Sequence, residues 1–221
     1  MKSKIKLGLQ VIILILFIGF LANFFIPKPE TQWDVVNLEP LKSGPIVAFG
    51  DSLTVGVAVG EEENYPWHFS EAFGEPVYNS GVSGDTTANG LSRLEADVLA
   101  YNPRLVFVAL GGNDIKAKVP VEVAFGNLRT IIERIQAGGA VVVLMGIDGK
   151  FVYGPEYDLA YKALAEETGC ILVSDILEDI IGNRSLLLDQ VHPNAAGYVV
   201  LKDKVLKELR FFQEELQFPE F

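Results

Sequence analysis

Five short runs, four of them apolar and one, 76–79, mixed, alternate with stretches of helical spacing along most of this chain, and that alternation leaves little freedom of fold. The runs are 46–49, 76–79, 105–110, 140–147 and 171–173. Leu105 to Leu110 carries no polar side chain, as expected of a strand buried on both faces of a parallel sheet. Between and beyond the runs, apolar residues recur at three- and four-residue intervals. Leu91, Leu94, Val98 and Leu99 mark a helix over 86–100, with Asp85 or Thr86 as its N-cap. Val121, Phe125, Leu128, Ile131, Ile132 and Ile135 mark another over 121–137, closed by Gly138-Gly139. Further helices are predicted over 67–73, 157–168 and 195–216. Alternating strands and helices imply a five-stranded parallel sheet with helices on both faces and right-handed crossovers. The 221 residues fit one such domain after any targeting segment.

Three polar turns, 50–54, 81–85 and 111–114, directly follow predicted strands. In a parallel sheet the carboxyl ends of all strands lie along one edge, so these turns should converge on one cleft. Ser52 sits in the first of them, where it is either an ordinary helix cap or an exposed nucleophile. A serine hydroxyl needs a base, and the base needs a third group to orient it. Of the two histidines, His68 falls in a predicted helix and is read as structural or exposed and idle. His192 lies in a polar loop before the last helix, three residues after Asp189, a spacing that lets a carboxylate reach the far ring nitrogen. An oxyanion would need donors. The Ser52 backbone N–H, the N–H of Gly84 and the side-chain amide of Asn113 are the candidates, although Gly84 also suits a plain φ > 0 turn and Asn113 a plain cap.

The N-terminus reads separately. Residues 1–6 hold three lysines and no acid, and 7–26 are apolar apart from Gln10 and Asn23. At ~1.5 Å rise per residue, such a run spans a bilayer as a helix. The expectation is an uncleaved signal anchor over 1–26, a proline-bearing tether over 27–44, and a domain over 45–221 held outside the cytoplasm; the alternative is a cleaved signal and a secreted protein. The net charge of −11 disfavours nucleic acid as a partner. One cysteine, Cys170, excludes an intrachain disulfide and a thiolate metal cluster.

Four blocks, Gly50-Asp51-Ser52-Leu53, Ser83-Gly84-Asp85-Thr86, Leu110-Gly111-Gly112-Asn113-Asp114 and Asp189-x-x-His192-Pro193-Asn194, resemble in kind and order the SGNH (GDSL) hydrolase family, and within it the bacterial esterase, lysophospholipase and thioesterase members. The likeness runs from Pro45 to the last helix. It implies a flavodoxin-like three-layer α/β/α sandwich, Ser52 as nucleophile, His192 as base, Asp189 as its orienter, and Ser52, Gly84 and Asn113 in an oxyanion hole. It implies no metal or organic cofactor. The expected substrate is a small acyl ester of a lipid, an aryl or short-chain alcohol; alternatives are an O-acetylated envelope glycan or a non-catalytic binding module on the same scaffold. Loops 115–120 and 148–155 would line the acyl site. The Gly-x-Ser-x-Gly elbow of α/β-hydrolases is absent around Ser52.

Overall fold

The computed structural model describes residues 28–147 and 156–221. Five strands, β1 (Ile46–Gly50), β2 (Val77–Gly81), β3 (Leu105–Ala109), β4 (Val141–Met145) and β5 (Ile171–Val173), form one sheet in the order β2-β1-β3-β4-β5, and every pairing is parallel. This is the flavodoxin-like order, whose switch point lies between β1 and β3. The register sets Gly50 opposite Gly81 on one side and Ala109 on the other, so the turns after β1, β2 and β3 leave the sheet side by side.

Seven α-helices are described: α1 (Ser52–Val55), α2 (Tyr65–Phe73), α3 (Thr87–Asp97), α4 (Gly112–Ala117), α5 (Val121–Ala137), α6 (Glu156–Thr168) and α7 (Ala195–Leu209). Alternate strand residues separate into two cores, as a period-2 backbone requires. Ile46, Ala48, Leu105, Phe107, Val141 and Val143 meet Phe69 and Phe73 of α2 and Leu201 and Val205 of α7. Val47, Phe49, Val106, Val108, Val142 and Leu144 meet Leu94 of α3, Ile131 and Ile135 of α5 and Leu164 of α6. Both faces are therefore covered, giving three layers, with about 1.5–3 kcal/mol for each large side chain so buried.

Two expectations are corrected. The last helix ends at Leu209 rather than near 216, followed by a 3₁₀ turn, Arg210–Phe212. The chain turns back so that Phe218 stacks on Phe73 with ring centroids 3.8 Å apart. The described part of the 27–44 tether is a strap laid against the domain. Thr31 accepts from Leu172 N at 2.9 Å and Glu30 from Ser174 N at 2.8 Å. Glu208 of α7 in turn accepts from the backbone N–H of Glu30 and Thr31, at 3.0 and 3.1 Å. Further along, Trp33 Nε1 donates to Cys170 O at 2.9 Å, Val36 N to Gly169 O at 2.8 Å, and Asn37 to Gln136 O and Ala140 O at 2.8 and 3.0 Å. The reason lies in the sheet: β5 is an edge strand, and its outward N–H groups need acceptors. The expected membrane segment and loop 148–155 lie outside the described residues; among those described, no helix is long and apolar enough to cross a membrane.

Candidate active site

The turn after β1 is held from several sides. Gly50 is obligatory, because a Cβ there would collide with Thr54 Oγ1 and the carbonyl of Ala109. Asp51 caps α1 through Leu53 N at 3.0 Å. Arg93 of α3 donates to Gly50 O at 2.9 Å, Asn79 Nδ2 to Thr54 O at 2.8 Å, and Tyr198 of α7 to Leu53 O at 3.0 Å. Ser52 thus begins a helix whose neighbours are anchored to β2, α3 and α7. Its own N–H, at the first helical position, has no intrahelical acceptor.

The loop before α7 carries the base. An isolated bridge, Leu187 to Pro193, pinches it shut, and Asn194 caps α7 through Gly197 N at 3.0 Å. Asp189 turns back on this loop and accepts from Val191 N and His192 N, both at 2.8 Å. Those bonds, first that from Val191 and then the contact with the His192 ring, hold the Asp189 carboxyl down at about 2. Ionised, Asp189 can only accept, so His192 Nδ1 carries the hydrogen in the 2.7 Å contact between them. The lone pair of Nε2 is left for the Ser52 hydroxyl, 2.9 Å away. The three residues predicted from spacing come together across 140 positions of sequence between Ser52 and His192.

The turns after β2 and β3 supply the donors. Gly84 has φ +86°, in the region where a side chain would be strained. Asn113, in the first turn of α4, donates from Nδ2 to Asp51 Oδ2 and to Asp85 O, both at 2.9 Å. Thr86, rather than Asp85, caps α3. Asp85 instead receives Arg93 Nε at 2.6 Å. Asp114 accepts from Thr87 N and Oγ1 at 2.8 and 2.7 Å, tying α4 to the start of α3. Val82, Leu188 and Val191, 42%, 48% and 50% exposed, place apolar surface in the turns that bear Gly84 and the base.

His68 stays on α2, its Nε2 buried without a hydrogen-bond partner, and burial lowers its pKa. It makes no hydrogen bond to the Ser52–His192–Asp189 chain. Two residues of the site were passed over in sequence. An aspartate at a strand-to-helix turn, such as Asp51, signals no more than a helix cap, and Arg93, a base four residues before Asp97, gives only a faint signal. Among the described residues, no group of three or more His, Cys, Asp or Glu is arranged to hold a metal ion.

A model of the GDSL-like lipase/acylhydrolase family matches residues 48–200, which include all five predicted site residues. The chain belongs to this family. An arylesterase of Vibrio mimicus is 33% identical over 177 residues, covering 76% of this chain and 88% of that protein. The Escherichia coli protein named thioesterase 1/protease 1/lysophospholipase L1 is 30% identical over 172 residues, covering 75% of this chain and 83% of its own length. The crystal structure of TesA superposes with a TM-score of 0.72 at 29% identity, covering 76% of this chain and 99% of that one. Like these GDSL relatives the chain is a serine ester hydrolase.

Proposed function

We propose that this hydrolase is tethered to the extracytoplasmic side of a membrane and cleaves carboxylic esters of lipid, aryl or short-chain alcohols through an acyl-enzyme on Ser52. The observation that carries the chemistry is the continuous chain from Asp189 through His192 to Ser52, with contacts of 2.7 and 2.9 Å. Ser52 Oγ attacks the acyl carbon as its proton passes to His192 Nε2. The carbonyl oxygen becomes an oxyanion beside the N–H of Ser52, the N–H of Gly84 and the amide of Asn113. Collapse expels the alcohol, which leaves with the proton from His192. Water then gives a proton to His192 and attacks the acyl carbon, releasing the carboxylic acid and returning the proton to Ser52.

The substrate reading is supported by exposed apolar side chains at Val82, Leu188 and Val191, in the turns that bear Gly84 and His192, and by relatives named arylesterase and lysophospholipase. The location is supported by the lysine-flanked apolar run 7–26. A fluorophosphonate probe should form one adduct on Ser52, and Ser52→Ala should lower p-nitrophenyl butyrate hydrolysis by at least about 10³-fold. An unlabelled Ser52, or an active alanine variant, would discredit the assignment. Comparing lysophospholipid with acetylated glycan decides the substrate class; preference for the glycan would replace the lipid reading.

A further inference from the structure

We propose that the strap over residues 28–44 seats the domain on the bilayer with the edge that bears Ser52 turned toward the lipid, so that the membrane itself covers Val82, Leu188 and Val191. The inference rests on the reading of residues 1–26 as an anchor and adds which side of the domain that anchor brings to the membrane. Strand register fixes the levels. Gly50 lies opposite Ala109, Val108 opposite Leu144 and Met145 opposite Val173, so β5 ends level with β1. The strap descends along β5 against the strand direction. Glu30 accepts from Ser174 and Thr31 from Leu172, while Trp33 donates to Cys170 and Val36 to Gly169. It then follows the amino edge, with Asn37 bonded to Ala140 O before β4 and Lys42 to Asn102 before β3. The chain thus comes to the domain at the carboxyl edge and enters β1 from the amino edge. Lys28, its first described residue, still lines a surface hollow with Val173 and Glu178.

Ile26 closes the apolar run four residues before Glu30. At no more than about 3.6 Å per residue, that stretch reaches roughly 14 Å. Three strand spacings of about 4.8 Å part β5 from β1, again roughly 14 Å. The crevice is therefore within a tether's length of the strap's upper end. The amino edge lies a strand length further off, five residues at about 3.3 Å each. A tether this short keeps the near edge at the surface without strong affinity of its own. The turns on that edge carry the exposed side chains of Val82, Leu188 and Val191, which gain by leaving water. Charges there have both signs: Glu61, Glu62 and Glu63 between α1 and α2, and Lys116 and Lys118 at the end of α4, all exposed. With no excess of positive charge, the edge suits a zwitterionic phospholipid surface rather than a densely anionic one. Esters lodged in that surface are then the ones that meet Ser52, ahead of a glycan approaching from the far side.

The test places a fluorophore on one introduced cysteine at a time in the full chain, reconstituted into phosphatidylcholine vesicles that carry a headgroup nitroxide. Cys170 is wholly buried and stays unlabelled. A label at Val82→Cys, on the carboxyl edge, should be quenched several times more strongly than one at Tyr101→Cys. Tyr101 is similarly exposed and stands before β3 on the amino edge. Equal quenching at the two positions, or a Val82 label left unquenched because a second copy covers that edge, overturns the proposal. If Val82→Cys does not fold, Val191→Cys takes its place. A flexible insert of about 20 residues between Ile26 and Pro27, spanning roughly 25 Å, should shrink the difference between the labels while p-nitrophenyl acetate hydrolysis stays unchanged. A difference that survives the insert in full also overturns it. A chain that does not float with the vesicles at all instead overturns the anchor reading.

Discussion

The carboxyl of Asp51 lies among the hydroxyl-bearing side chains of Tyr65, Tyr161 and Tyr198, near Asp85 and His192 and almost wholly out of water. Burial first, with Asp85 adding to it, pushes its pKa up from 3.8 to about 6, against the Leu53 N–H and His192, which pull it down. Because the folded value lies above the unfolded one, this group's contribution to stability is full below about pH 3.8 and lost as pH rises through about 6. The unfolding free energy of wild type minus that of Asp51→Asn should therefore move against wild type, by on the order of 2 kcal/mol between pH 4 and pH 8. Urea denaturation at the two pH values measures it, and a difference that does not move with pH contradicts the buried, ionising carboxyl. An ionised Asp51 at neutral pH thus works against stability while it accepts from the Asn113 amide. Asp189 is shifted the other way and stays charged well into acid. Ser52, His192 and Asp189 were legible because each is a residue of the right chemistry in a turn after a strand or before a helix. Asp51 was not, since a cap explains an aspartate at that place without any partner 62 residues away.

Among the elements, the strands and long helices follow directly from the residues that form them: Val121–Ala137 matches its periodic pattern end to end, and β3 its apolar run. The strap over residues 28–44 had no such pattern. Its bonds go to Leu172 of the edge strand β5, to Ser174 just beyond it, and to backbone carbonyls of the loops that precede β4 and β5, groups brought within reach only by the packing of the sheet and its helices. Glu208 is the hinge of this arrangement, one buried carboxylate on α7 accepting from two successive N–H groups of the strap, and desolvation raises its pKa. Glu208→Ala leaves both donors without their acceptor and should destabilise the full chain by about 1–3 kcal/mol. The loss is expected in chemical denaturation with little change in kcat, since α7 meets the site through Tyr198 rather than Glu208. Unchanged stability would mean that the strap is held by its other contacts alone.

For the whole molecule, the strap bears on how the proposed anchor is attached. Ile26 ends the apolar run and Glu30 is already bonded to Ser174 and Glu208, so at most about 3.6 Å per residue over the few residues between them separates the two. In cells, the full chain should fractionate with membranes and resist carbonate washing, with the domain open to protease from outside the cytoplasmic membrane. Recovery in the soluble fraction at its full mass would set the anchor aside. The order of residues along this chain was enough to determine the alternation of strands and helices, the parallel sheet and the types of residue placed in each turn, because periodicity and turn chemistry are local properties. Which turns became neighbours, that Asn113 leans on Asp51, and that residues 28–44 bind rather than dangle were decided only by the tertiary structure. Those outcomes follow from strand order and from unpaired donors at a sheet edge, which exist only once distant segments have packed.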